Sequence, residues 1–184
     1  TLGAGARFAA ADQDGELRDR AKETLAKAAR HFRQHVAVEG GYVWRASLDN
    51  AFREGEEVVN STTVWVQPPG TPAVGEAFLA AYRATGEKLH LEFAVDAARA
   101  LVRGQLQSGG WDYRVEFAPA LRGTYAYRID GGDFSARAKR KNMSTLDDNS
   151  SQAVLRFVMH VDEALQFGDA AIHEAATYGL DSLL

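Results

Sequence analysis

The sequence predicts an all-α fold: an α/α toroid, an incomplete α/α barrel of helical hairpins, with short irregular or β-like loops. Three observations carry that expectation. Apolar residues recur at helical spacing through much of the 184 residues. Two glycine–glycine–aromatic turns, Gly40-Gly41-Tyr42 and Gly109-Gly110-Trp111, each close a helical stretch. Each turn is followed by a long loop and then by two helices joined at a glycine. Hairpins repeated with one loop logic bury their faces against each other, as in solenoids and in their closed relatives.

The elements follow in order. Leu17 to His35 carries Leu17, Ala21, Leu25, Ala28, Ala29 and Phe32 on one stripe, with charged residues opposite. Glu76 to Thr85 reads as a short helix after Thr71-Pro72, stopping at Gly86. Lys88 to Leu106 is the next, with Leu89, Phe93, Ala97, Ala100 and Leu101 near helical spacing. Ser150 to Gln166 follows, then a break at Gly168, then Ala170 to Leu184. The stretches Tyr42 to Ser47, Val58 to Val66 and Val115 to Tyr127 read as strand-like or irregular. The repeats suggest one domain spanning 1–184, an open arc forming the N-terminal portion of a longer catalytic domain.

Composition narrows the function classes. Hydrophobic residues at 46% suffice for a core, and 25% charged residues is an ordinary soluble share, which excludes a disordered chain. A net charge of −4 argues against a nucleic-acid partner. With no cysteine, disulfides and thiolate metal sites are excluded. No apolar run reaches the ~20 residues of a membrane-spanning helix. No Gly-x-Ser-x-Gly elbow, phosphate-binding glycine loop or dinucleotide fingerprint occurs.

The chemistry-bearing candidate is Ser144-Thr145-Leu146-Asp147-Asp148-Asn149-Ser150, which opens a helix about thirty-five residues after Gly109-Gly110-Trp111. Helix capping explains part of it, since Asp, Asn and Ser accept bonds from free helix N–H groups. One residue of 148–151 is expected to cap. Two adjacent carboxylates beside an amide also suit Ca²⁺, which takes oxygen ligands and completes its shell with water. Asp147, Asp148 and Asn149 are the candidate ligands. Trp111, Tyr113 and Arg114, with their earlier counterparts Trp44 and Arg45, read either as a packed hairpin end with a paired arginine or as a sugar-binding wall. Aromatic faces stack on sugars, and arginine forks a carboxylate. The basic run Arg137, Lys139, Arg140, Lys141 is a solvated loop or an attractor of anionic polymer. His31 and His35 share a helical face but lack a third ligand, so zinc is not expected there.

The order GGW, aromatic loop, Leu-Asp-Asp-Asn, helix resembles the pectate lyases of polysaccharide lyase family 10, from about Phe93 to the C-terminus. Asp112-Tyr113 replaces the family's Pro-Gln after GGW, Asp147 stands where the family usually has Asn, and Ser150 replaces an Ala. The resemblance implies a calcium cofactor and a secreted or periplasmic enzyme. Its substrate would be pectate, an acidic polysaccharide, cleaved by β-elimination. It places Asp148 and Asn149 in the active-site cleft on calcium and galacturonate, with Trp111 and Arg114 lining the sugar groove. The family's base, an arginine, is expected beyond Leu184. Three alternatives remain open: a carbohydrate-binding or structural α/α-toroid domain without catalysis, an α/α-barrel glycoside hydrolase, and a terpene-cyclase-like fold. The hydrolase needs two opposed carboxylates, and adjacent aspartates supply these poorly.

Overall fold

The computed structural model describes residues 3–131 and 140–183. They are mostly helical. The order is α1 (Gly3–His31), a π-helical turn (Phe32–Val36), β1 (Arg45–Ala46), β2 (Arg53–Glu54), β3 (Thr63–Trp65), α2 (Thr71–Thr85), α3 (Lys88–Val102), β4 (Arg114–Glu116), α4 (Pro119–Arg122), α5 (Ser150–Ala164) and α6 (Ala170–Leu183). Short 3₁₀ turns cover Arg128–Asp130 and Asp147–Asn149. Among the described residues no helix is long and apolar enough to cross a membrane.

Two helical hairpins form the body. α2 and α3 pack on each other, as do α5 and α6, and α5 also lies against α2 and α3. Pro72 sits in the first turn of α2, where its missing N–H costs nothing, so this helix starts five residues before the expected Glu76. It ends at Gly86, whose φ of 73° lets the chain turn while its N–H bonds the Tyr82 carbonyl at 2.7 Å. The second hairpin turns differently from the expectation. Gln166 and Phe167 adopt positive φ there, at 54° and 61°, and Gly168 does not. At Gly75 a β-carbon would lie 2.1 Å from the Phe157 ring, so glycine is what lets α2 and α5 approach.

The core lies between the hairpins and beneath the loops. Leu79, Ala97, Leu101, Leu106, Trp111, Val115, Phe157, Val158 and Ile172 are all fully buried. Each large apolar side chain among them contributes about 1.5–3 kcal/mol. The predicted α1 stripe is not buried in this way. Of its six residues Ala29 alone is buried, and Leu17, Leu25 and Phe32 are exposed, because α1 packs only sparsely on α2 and α3. A cavity of 410 Å³ remains there, lined by Leu25, Phe32, Phe78 and other apolar groups.

The loops after the two turns meet in a sheet. β3 pairs antiparallel with β4 in the register Thr63↔Glu116, Val64↔Val115, Trp65↔Arg114. β1 and β2 form a separate ribbon, Arg45↔Glu54 and Ala46↔Arg53. The short ladder between β3 and β4 joins the first half of the chain to the second immediately below the Asp147–Asn149 segment.

Candidate functional site

Both glycine–aromatic turns are anchored by one device. The Thr71 hydroxyl accepts from the Tyr42 N–H at 3.0 Å and donates to the Tyr42 carbonyl at 3.0 Å. The Ser151 hydroxyl does the same for Trp111, at 2.9 and 3.2 Å. The aromatic carbonyl also accepts from the backbone six residues before that hydroxyl, from Trp65 N in the first case and Thr145 N in the second, both at 2.8 Å. Gly40 and Gly109, at φ of 89° and 90°, supply the left-handed bend that starts each turn. Counted back from those hydroxyls, Gln67-Pro68-Pro69 of the first unit stands at the sequence positions that Asp147-Asp148-Asn149 holds in the second.

The second turn is stitched further to the motif segment. Gly110 N donates to Ser144 Oγ at 2.9 Å, and Ser108 N donates to Asn142 Oδ1 at 2.9 Å. The spacing of GGW to the acidic motif therefore has a structural basis: one docks on the other.

Asp148 and Asn149 occupy successive left-handed conformations, φ/ψ of 50°/30° and 59°/29°. Asp and Asn tolerate this region better than other residues with a β-carbon, at a cost of about 1 kcal/mol each. Neither side chain caps α5, which corrects the expectation of a cap among residues 148–151. Ser151 spends its hydroxyl on Trp111, and the Ser151 N–H goes instead to the Thr145 carbonyl at 3.0 Å. Asp147, Asp148 and Asn149 are all exposed.

Asp148 is nonetheless held. Its Oδ2 accepts from Gln67 Nε2 at 2.9 Å. Gln67 is 5% exposed, and its Oε1 accepts from the indole N–H of fully buried Trp65 at 3.2 Å. The Gln67 carbonyl accepts the Trp44 indole at 2.9 Å. Asp147 Oδ1 takes the Asp148 N–H at 3.0 Å, and Asp147 Oδ2 lies a long 3.4 Å from the Tyr113 hydroxyl. Desolvation, then the charge and hydrogen bond of Asp147, then Asp148 and Glu56, push the Tyr113 hydroxyl above the ordinary tyrosine value. Asn149 Oδ1 accepts from Arg156 at 3.2 Å.

Other sequence candidates sit as follows. Trp111 has no exposed surface and its indole donates to the Leu101 carbonyl at 2.8 Å, so it fills the core and does not line a groove. Arg114 is partly exposed, ion-paired with Glu57, and lies 5.2 Å from the Trp65 ring centroid. Trp44 is half-buried edge-on to Trp65, and Arg45 pairs with Glu54. Arg137 and Lys139 lie outside the described residues, while the Lys141 ammonium sits 5.1 Å over the Tyr125 ring. The His31 and His35 rings lie 4.9 Å apart, tilted by 36°. The sequence reading missed Gln67, Trp65, Glu57 and Arg156. Aligning the two turns by their hydroxyls would have flagged Gln67.

Among the described residues no three His, Asp or Glu side chains converge on a metal position. The donors at the motif do fit an oxygen-preferring cation that takes the rest of its shell from water and from an anionic ligand. Asp148 Oδ1 has no hydrogen-bond partner among the described residues, and Asp147 Oδ2 has only the long Tyr113 contact. Asn149 fits less well, because Arg156 already holds its oxygen. The motif occupies open surface, whereas the apolar cavity beside α1 lies elsewhere and has the lining of a packing groove. In comparisons with known proteins, no family model, no curated protein and no solved structure matches this chain.

Proposed function

We propose that this chain carries the carboxylate-bearing part of a calcium-dependent pectate lyase. It would be an α/α-toroid polysaccharide lyase, secreted or periplasmic, that cleaves polygalacturonate by β-elimination. The observation that carries the reading is Asp148. It is exposed, its backbone is left-handed, one of its oxygens is tethered to a buried amide, and its other oxygen has no hydrogen-bond partner among the described residues. Local strain that does no capping work is characteristic of functional positions.

In the elimination the C5 proton passes to a base. Its bonding electrons form the C4–C5 double bond, and the C4–O bond breaks to release the glycosidic oxygen, which is then protonated. Ca²⁺, when bound, would neutralise the uronate carboxylate and so acidify that proton. Asp148 and Asp147 would hold the ion. Arg114 would orient a uronate only by exchanging it for Glu57. No residue of this chain is assigned the base. Arg114 is paired, and an arginine acts as a base only when crowded or desolvated. That pairing, with the burial of Trp111, favours a second reading in which the chain binds anionic carbohydrate without turnover.

Migration through gels containing polygalacturonate, with calcium or with chelator, tests the proposal. Calcium-dependent retardation that Asp148→Asn abolishes is the expected result. Retardation unchanged by chelator and by Asp148→Asn would remove calcium from the account. Retardation without unsaturated product in an ultraviolet assay would favour the binding reading.

A further inference from the structure

We infer that Gln67 is a positioning residue for Asp148, and that the Trp65 indole fixes which way its amide faces. The argument rests on donor and acceptor chemistry. An indole N–H can only donate, and a carboxylate can only accept. Trp65 Nε1 stands 3.2 Å from Gln67 Oε1, and Asp148 Oδ2 stands 2.9 Å from Gln67 Nε2. The opposite amide orientation would set N–H against N–H on one side and oxygen against carboxylate on the other. The amide therefore has one orientation, and it always offers Asp148 a donor.

Burial makes this consequential. Trp65 is 1% exposed and Gln67 5%, so the indole end of the amide is shut off from water and only its Asp148 end borders the exposed motif. Asp148 sits on exposed, left-handed backbone that would leave its side chain free to rotate. Tethering Oδ2 removes that freedom and so fixes Oδ1 as well. The tether also crosses between the halves of the chain, since Gln67 belongs to the first turn unit and Asp148 to the second. The site is thus assembled only when the two units dock.

The inference rests on the reading of Asp148 as a ligand-holding group, and two measurements separate its failure from that of the reading. The first is ligand-independent: exchange and chemical shift of the Gln67 side-chain amide protons by NMR. Slow exchange that Asp148→Ala abolishes and Asp147→Ala preserves is expected. Amide signals indifferent to Asp148→Ala would overturn the inference whatever the chain binds. The second uses Gln67→Glu, which is isosteric and still accepts from Trp65 but offers Asp148 no donor when ionised. Calcium-dependent retention on polygalacturonate should weaken about tenfold or more, the usual effect of removing a partner of a ligating group. The melting temperature is tracked in parallel. Wild-type retention by a folded Gln67→Glu variant would overturn positioning and leave the functional reading standing. Absence of calcium-dependent retention in the wild type would defeat the functional reading, and the NMR result alone would then decide the inference.

Discussion

Between Gly40 and Thr71, and again between Gly109 and Ser151, the chain builds the same bend. A left-handed glycine starts it, an aromatic residue follows, and a helix-start hydroxyl bridges that residue's N–H and carbonyl. What differs is the segment four residues ahead of the hydroxyl. The first unit places Gln67-Pro68-Pro69 there, with φ largely fixed by proline and the glutamine turned inward. The second places Asp147-Asp148-Asn149, all exposed, with Asp148 and Asn149 left-handed. One scaffold position thus does packing in one copy and presents carboxylates in the other, and the packing copy supplies the amide that holds the presenting one. Fold and chemistry are separable here at the resolution of four residues.

The largest test of the comparison is Trp111. As the fully buried counterpart of Tyr42, it should cost about 3–5 kcal/mol when replaced by Ala, read as the midpoint of denaturant unfolding. An unchanged midpoint with weakened polysaccharide retention would return Trp111 to the groove and break the equivalence of the turns.

Next come the glycines. A β-carbon on Gly40 would meet the Asp96 carbonyl oxygen at 2.5 Å, and one on Gly109 would meet the Ser182 side chain at 2.1 Å. Strain at positive φ plus the clash should cost roughly 3 kcal/mol for Gly40→Ala. Gly109→Ala should cost less, because Ser182 lies near the end of α6, which can shift, whereas Asp96 is in the middle of α3. Reversal of that order by thermal melting would mean the second turn is the more rigid.

The aromatic residues differ in a way that pH exposes. Burial, partly offset by Arg33 and reinforced by Asp96, pushes the Tyr42 hydroxyl above its ordinary range. The neutral form is the one the fold favours. Its contribution is full below the unfolded tyrosine value near 10 and is lost as pH rises above it. Tyr42 Oη is buried without a hydrogen-bond partner among the described residues, so Tyr42→Phe should be neutral or stabilise by about 1 kcal/mol at neutral pH. It should also reduce the alkaline loss of stability. Tyr125, pushed up to about 12 chiefly by burial, and Tyr127 should keep part of that loss in the variant. A stability–pH curve identical to wild type above neutrality would refute the buried-hydroxyl account.

Much of this was legible in the sequence, and the limits are instructive. Helical periodicity and glycine punctuation mark both hairpins, because burial and turns leave local signatures. Pairing GGW with the acidic segment is also visible, since both ends of the docked contact have unusual composition. The Gln67 tether, 81 residues from its partner, is not. A glutamine before two prolines has no local reason to be functional, and only the docking of one unit on the other gives it one. Trp111 was ambiguous for a similar reason. An aromatic after Gly-Gly fits a core and a sugar platform equally, and the choice is made by α3, whose Leu101 carbonyl takes the indole N–H. The α1 stripe misled because amphipathic spacing shows which face could be buried, not whether a neighbour covers it.

The smallest expected change in stability falls on the residue proposed to hold calcium. Asp148 holds φ 50° with a β-carbon present, so Asp148→Gly relieves about 1 kcal/mol of backbone strain while adding a cost of the same order by loosening the unfolded chain. The carboxylate loses one hydrogen bond to Gln67 and leaves that amide's N–H unpaired, a penalty of about 1–3 kcal/mol that solvent at the exposed motif lowers. These terms offset, and the net change should be within about 1 kcal/mol of zero. Calcium-dependent retention should disappear completely. Asn149→Gly sharpens the point, since it relieves similar strain and releases Arg156, yet leaves both carboxylates in place, so retention should survive. If both glycine variants retain polygalacturonate as the wild type does, the left-handed pair is only a bend into α5. The difference between the two turn units would then be conformational and not chemical.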